Sequence, residues 1–217
     1  MFTRILEILG LQKKIIKIPS KYSQNLEIYQ HHGKTLLDSP HANYSYGTLY
    51  YAFDWAFQQI PFQDFIIKKI LLLGLGAGCI LELLPKYIGQ NVDYQIDAIE
   101  IDETVIQIAH QYFDIQRFPN LKIIHADAQY FLENNHTLYD WVIVDLFIDL
   151  HMPDFLFEKK YIEILQNTVQ PGGMLLVNTL PEVQDNDLII NELRLKGKLE
   201  ILERYKDMNE MLFWKKL

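Results

Sequence analysis

Lys69-Ile70-Leu71-Leu72-Leu73-Gly74-Leu75-Gly76-Ala77-Gly78-Cys79-Ile80-Leu81-Glu82-Leu83-Leu84 is the most informative stretch of this chain. The unbroken apolar run Ile70–Leu73 has the composition of a strand buried on both faces of a parallel sheet. Glycines at alternate positions follow, and then Ile80, Leu81, Leu83 and Leu84 begin a helical pattern. A strand, a Gly-rich turn and a helix in that order form a phosphate- or nucleoside-type cradle. The glycines lack the Cβ atoms that would keep a ligand off the backbone, and the helix start offers free N–H groups. Because position 79 is Cys, the spacing is G-x-G-x-G and not the dinucleotide fingerprint G-x-G-x-x-G. The plain alternative is a βα loop whose glycines serve only close packing.

Working outward from this turn, strand and helix patterns alternate along the rest of the chain. Strands are expected at 69–73, 94–99, 121–125, 139–146, 173–180, 199–205 and 210–215, with helices at 79–88, 102–112, 127–134, 155–168 and 184–196. This predicts an α/β fold with a doubly wound, mostly parallel seven-stranded sheet of Rossmann-like type. The last two strands are separated only by Lys206-Asp207-Met208-Asn209, so they form an antiparallel C-terminal hairpin. Ahead of the sheet, a short amphipathic helix is expected at 2–11. A small N-terminal β-hairpin follows from strands at 20–29 and 34–38, turning at His31-His32-Gly33, and then a helical segment at 49–57. The division expected is residues 1–65 as this extension and 66–217 as the ligand-binding domain.

Bulk properties narrow the function. The 217 residues carry a net charge of −8, which argues against a general nucleic-acid binder. Cys79 is the single cysteine, so no intrachain disulfide and no cysteine metal cluster is available. His31, His32 and His41 sit on a turn and a loop with no ligand geometry, and no metal is expected. No apolar run reaches membrane-span length and no signal-peptide core is visible, so a cytoplasmic location without membrane attachment is expected.

Three strand ends carry the chemistry. The second strand closes in Ile99-Glu100-Ile101-Asp102, and Glu100 lies 22 residues beyond Gly78. A carboxylate there can accept hydrogen bonds from both ribose hydroxyls, while Asp102 suits the cap of the next helix. Asp127, in His125-Ala126-Asp127-Ala128, can receive an adenine amine, cap the following helix, or do both. Asp145 ends the very apolar Trp141-Val142-Ile143-Val144, an unfavourable place for a carboxylate without a polar ligand or partner. Asp149, His151 and Asp154 follow in a loop expected to overhang the same crevice.

Taken together, Leu71–Gly78, Ala98–Asp102, Ala126–Ala128, Val142–Asp145 and Pro171-Gly172-Gly173 resemble the class I S-adenosylmethionine-dependent methyltransferase superfamily, and within it the spermidine-synthase-like branch. The absence of an acidic residue at Leu72, the run Glu100-Ile101-Asp102-Glu103-Thr104-Val105-Ile106 and the hairpin ending Leu36-Leu37-Asp38 favour that branch. The resemblance implies that Gly74, Gly76 and Gly78 line the methionine part of the ligand. It further implies that Glu100 with Ile101 holds the ribose, that Asp127 and Ala128 hold the adenine, and that Asp145 faces the reacting centre. The ligand implied is S-adenosylmethionine or its decarboxylated form, the partner a small-molecule acceptor, and the assembly a homodimer.

The branch's aminopropyltransferases follow the fourth-strand Asp with small hydroxylated residues and a second Asp before Pro. Here the sequence is Asp145-Leu146-Phe147-Ile148-Asp149. Asn43 lies near the place of the family's substrate-side Gln, leaving Asn43 and Asp149 as the substrate-binding candidates. This departure makes methyl transfer to a small molecule the leading expectation. Aminopropyl transfer is the alternative, and a non-catalytic nucleoside-binding protein is a third reading.

Overall fold

The computed structural model describes residues 12–31, 33–39, 48–89, 93–148, 150–181, 186–205 and 209–217. Two sheets organise them. A three-stranded antiparallel sheet comprises β1 (Gln12–Pro19), β2 (Asn25–His31) and β3 (Lys34–Asp38). The main sheet has seven strands in the order β6-β5-β4-β7-β8-β10-β9. These are β4 (Lys69–Leu73), β5 (Gln95–Glu100), β6 (Leu121–His125), β7 (Tyr139–Val144), β8 (Val169–Thr179), β9 (Gly197–Tyr205) and β10 (Asn209–Lys216). All pairings from β6 to β8 are parallel, and β10 runs antiparallel to both β8 and β9. The expected α/β class, mostly parallel sheet and antiparallel C-terminal pair are therefore present.

Strand periodicity divides the core into two layers. Leu72, Ala98, Ile143, Leu176 and Phe213 point to one face. There they meet Phe53 and Phe57 of α1 (Thr48–Gln59) and Ile80 and Leu84 of α2 (Cys79–Ile88). Leu71, Leu73, Val142, Val144, Leu175, Leu212 and Trp214 point to the other face. They pack on α4 (Ala128–Asn134), α5 (Lys159–Thr168) and α6 (Asp187–Lys196) through Leu132, Ile162, Leu165, Ile189 and Leu193. Residues one apart on a strand bury against different helices, which is why β4 and β7 read as continuous apolar runs and not as alternating ones. The remaining helix, α3 (Glu103–Tyr112), uses Val105 and Ile108 to pack on Leu26, Ile28 and Leu37 of the small sheet, with Ala77 of the glycine turn in the same cluster.

The N-terminal part departs from the sequence expectation in two ways. Residues 12–19 form a strand that pairs with β2 with a register shift between Lys14 and Ile16, so the hairpin is a three-stranded sheet. Ser20–Gln24, expected as strand, is a turn. Ser20 Oγ accepts from the N–H groups of Tyr22 (3.0 Å) and Ser23 (2.9 Å), the Ser20 N–H donates to the Gln24 carbonyl (3.0 Å), and Gln24 takes φ 50°. A serine hydroxyl bonding forward to the backbone competes with strand pairing. The expected helix at 2–11 lies outside the described residues.

Two contacts set β4 against β7. Asp140 accepts from the Lys68 and Lys69 N–H groups (2.8 and 2.7 Å), fixing the register where the strands begin. At their far ends the Asp145 N–H donates to the Leu73 carbonyl (2.8 Å), and a Cβ on Gly74, which has φ 92°, would lie 2.1 Å from the Asp145 carbonyl oxygen. Gly74→Ala should therefore cost roughly 3–5 kcal/mol, because backbone must move as well as strain be borne. Gly172 also has positive φ (78°), but a Cβ there meets nothing within 4 Å. Gly172→Ala should cost only about 1 kcal/mol. Urea unfolding of both variants checks the contrast, and equal losses would refute the close-approach explanation.

Candidate functional site

The chain reverses its winding between β4 and β7, since β4 is followed outward by β5 and β6 on one side and by β7 and β8 on the other. A crevice outside the carboxyl ends of the strands is expected at such a switch point. A cavity of about 520 Å³ lies there. Gly74, Gly76, Glu100, Ile101, Asp127, Ala128 and Asp145 all line it, so the structure brings together seven residues nominated from three separate strand ends and the glycine turn.

Glu100 is tied to the turn. Its Oε2 accepts from the N–H groups of Leu75 and Gly76 (both 3.2 Å), and its Oε1 accepts from the N–H of Asp102 (3.0 Å). Burial pushes its carboxyl above the usual range, and the three backbone donors act against that shift. Asp102 caps α3 by accepting from the Thr104 N–H (2.8 Å), as its position suggested. Its other oxygen accepts from the Ser20 hydroxyl, fastening the turn between β1 and β2 to the ligand side of the main sheet. Asp127 caps α4, with Oδ1 accepting from the N–H groups of Gln129 (2.7 Å) and Tyr130 (3.3 Å), while also lining the cavity. Both roles considered for it are compatible with this placement.

Asp145 is the first residue beyond β7. Its Oδ1 accepts from Asn178 Nδ2 (2.8 Å), and Asn178 Oδ1 in turn accepts from Asn209 Nδ2 (2.8 Å). Its carboxyl is pushed up to about 6, first by burial and then by the charge of Glu100, against the stabilising hydrogen bond from Asn178. The loop that follows gives the cavity an apolar side through Leu146, Phe147, Ile148 and Leu150, with Asp154 and Glu158 beyond. Six carboxylates line the cavity (Glu100, Asp102, Asp127, Asp145, Asp154 and Glu158), and among the described residues no Lys, Arg or His does. Such a cavity concentrates negative potential and favours cationic ligands.

Other nominated residues stand elsewhere. Gly78 is not among the cavity-lining residues: its N–H is turned to the Leu75 carbonyl (3.0 Å), its φ is 82°, and a Cβ would meet Ile115 Cδ1 at 3.1 Å, so backbone conformation and packing both call for glycine at the start of α2. His151 is bridged through its backbone to Ile148, is exposed, and does not line the cavity. Asn43 and Asp149 lie outside the described residues. In the other direction, Tyr22, Ser23, Gln129, Phe155, Asn178 and Asn209 line the cavity without having been nominated. Asn178 carried a usable signal, a polar residue directly after the apolar run Met174–Val177. Tyr22 and Ser23 carried none, because only the docking of the small sheet brings them there.

Comparison with known proteins agrees with this geometry. The spermine/spermidine synthase domain matches residues 61–202. A polyamine aminopropyltransferase of Vibrio vulnificus is 27% identical over 115 residues, and spermidine synthase 2 of Arabidopsis thaliana is 34% identical over 113 residues. These segments cover 52% and 50% of this chain but only 38% and 32% of the relatives' own lengths. Among solved structures, a spermidine synthase in complex with the transition-state analogue AdoDATO aligns with a TM-score of 0.70 at 16% identity, over 94% of this chain and 74% of that one. Human methyltransferase-like protein 13 in complex with SAH aligns at 0.62 and 20% identity, over 77% and 81%. These two likenesses show the shared fold, and the domain match, which spans most of the chain, shows that this chain belongs to the spermine/spermidine synthase family.

Proposed function

We propose that this protein is an aminopropyltransferase, moving a three-carbon amine from decarboxylated S-adenosylmethionine to a primary amine. The observation that carries this reading is the cavity's charge: six carboxylates with no cationic side chain among the described lining residues. An α-carboxylate, which S-adenosylmethionine keeps and its decarboxylated form lacks, would find no cationic partner among those described lining residues and would be repelled by the carboxylates. The names of the relatives point the same way, so methyl transfer, the leading expectation from sequence, gives way to its alternative. The residues fit the donor: Gly74 and Gly76 leave backbone open to it, Glu100 and Asp127 offer acceptors for ribose and base, and the anionic walls suit a sulfonium. A homodimer and a cytoplasmic location accompany this reading as family expectations.

The donor supplies a carbon made electrophilic by the adjacent sulfonium; the new C–N bond forms as the C–S bond breaks, leaving a neutral thioether. The chain's own contribution is positioning, removal of water and proton transfer. Asp145 lines the cavity, and on this reading its carboxylate takes the proton that the acceptor amine must lose. A carboxyl near 6 remains ionised at neutral pH yet is more basic than an ordinary aspartate. Asn178 holds that carboxylate in one orientation, and Asn209 fixes the Asn178 amide.

Turnover of decarboxylated donor with a panel of primary amines, followed by mass spectrometry, tests the reading. Amine-aminopropyl product is expected, and methylated product from S-adenosylmethionine without it would overturn the proposal. Asp145→Asn should lower kcat by about 10²–10⁴-fold. The rate should rise with pH through about 6, and Asn178→Ala should move that limb to higher pH, because it removes the N–H that favours the charged carboxylate.

Asp145 also links activity to stability. Its carboxyl titrates higher folded than unfolded, so the folded state binds the extra proton and wild-type stability falls as pH rises from about 4 through about 6. Asp145→Asn should stabilise the ligand-free protein at pH 8 by up to roughly 2–3 kcal/mol and bring no gain below about pH 4. Paired urea titrations at the two pH values measure this, and a pH-independent difference would count against it.

A further inference from the structure

The connection from Asp145 to α5 is a braced segment. Met152, Phe155 and Leu156 are buried in the same core layer as Val142 and Val144 of β7, and Leu146 and Phe147 pack against that layer while half-buried. Between these anchors the Ile148 N–H donates to the His151 carbonyl (2.9 Å) and the His151 N–H returns to the Ile148 carbonyl (3.1 Å), closing a tight turn. Ile148 and Leu150 are exposed, yet both line the cavity together with Leu146, Phe147 and Phe155. Large apolar side chains held along a cavity and left in contact with water gain when a ligand covers them. Two carboxylates share this stretch of the lining, and both are solvated. Asp154 opens a 3₁₀ turn (Asp154–Phe157), and Glu158 precedes α5 without making a side-chain cap bond.

The balance between these two kinds of group decides what the segment takes. A solvated carboxylate strengthens the hold on a second ammonium by at most about fivefold, and that ammonium must give up water among apolar side chains to receive it. Each methylene removed from water contributes up to about fourfold. Across several carbons the apolar contribution exceeds the ionic one. We infer that the acceptor is a primary monoamine on an apolar body, an alkyl or arylalkyl amine, and that Phe147, Ile148 and Leu150 select it over a short α,ω-diamine. This rests on the aminopropyl-transfer reading and adds the class of acceptor to it. The reacting nitrogen meets Asp145 at the head of the segment, the hydrocarbon lies along the apolar side chains, and no second amine is required. Selection is by desolvation and not by size: a distal ammonium loses water, and the described carboxylates open to it, Asp154 and Glu158, are solvated ones.

Turnover of saturating decarboxylated S-adenosylmethionine with n-butylamine, n-hexylamine, 2-phenylethylamine, 1,4-diaminobutane and 1,6-diaminohexane, followed by mass spectrometry of the products, tests the inference. The butyl and hexyl monoamines are equally basic, so a difference between them reports the cavity. From butyl to hexyl, kcat/KM should rise about four- to sixteenfold, with 2-phenylethylamine also above n-butylamine. n-Hexylamine should exceed 1,6-diaminohexane by about tenfold or more. Ile148→Asp should do something that loss of folding cannot, lowering kcat/KM for n-hexylamine while raising it for 1,6-diaminohexane. A flat response from butyl to hexyl, a diamine used as well as or better than the monoamine of its length, or an Ile148→Asp enzyme with the wild-type order of preference overturns the inference and leaves aminopropyl transfer standing. If a diamine is preferred, loss of that preference in Asp149→Asn would identify Asp149 as the partner of its second amine. No product with any of the five amines overturns the aminopropyl-transfer reading and the inference with it.

Discussion

A buried carboxylate holding its own loop is the constraint on which this site depends. Glu100 leaves β5 at the point where β4 has just ended in the glycine turn, and its two oxygens collect three backbone N–H groups that the turn and the start of α3 would otherwise leave unsatisfied. Unpaired buried N–H groups are costly, and so is an unpaired buried charge; each here answers the other. The turn in turn lets the end of β7 approach, because Gly74 presents no Cβ to the Asp145 backbone. Thus one side chain and one missing side chain fix the distance between the two halves of the cavity.

That arrangement places Glu100 where its charge raises the cost of ionising Asp145. The ligand-free protein carries this electrostatic penalty, which a cationic ligand would relieve. A site that is destabilised empty and relieved when filled spends folding stability on pre-organisation, a trade commonly found where function requires a fixed charge. The asparagine pair Asn178–Asn209 keeps the penalty from being escaped by rotation, since it anchors the Asp145 carboxyl from β8 and β10.

The main sheet was legible because its signals are local. Apolar runs at Ile70–Leu73 and Trp141–Val144, a glycine turn between strand and helix, and carboxylates at strand ends each specify a place relative to a parallel sheet before any packing is known. The antiparallel end was legible from a connection too short to cross over. What stayed hidden depends on docking or on hydrogen bonds that no spacing encodes. β1 is a strand only through its pairing with β2, Tyr22 and Ser23 reach the cavity only because the small sheet packs on α3, and Gln129 is held by Tyr161, thirty-two positions away. Gly78 shares the motif and the positive φ of Gly74 and Gly76, yet it lies against Ile115 and not among the cavity-lining residues, so one backbone demand recurs at two kinds of place.

The two halves of the cavity are built on different principles, and this bears on how the family's chemistry could vary in this chain. The half over β4, β5 and β6 is framed by backbone and by carboxylates already locked in capping or loop-holding bonds, so substitutions there disturb the fold as well as the ligand. The half beyond β7 is framed by Leu146, Phe147, Ile148 and Leu150, of which Ile148 and Leu150 keep about two-fifths of their surface exposed (41% and 43%). Few fold-determining bonds constrain those side chains, so their identity can change without cost to the sheet. On the proposed reading the donor is therefore fixed by the architecture, whereas the acceptor is set by a loop that is free to differ. The apolar side chains that line the cavity together with Asp145, Asp154 and Glu158 favour an amine whose charged group is carried on hydrocarbon, because such a molecule satisfies the carboxylates and the apolar lining together.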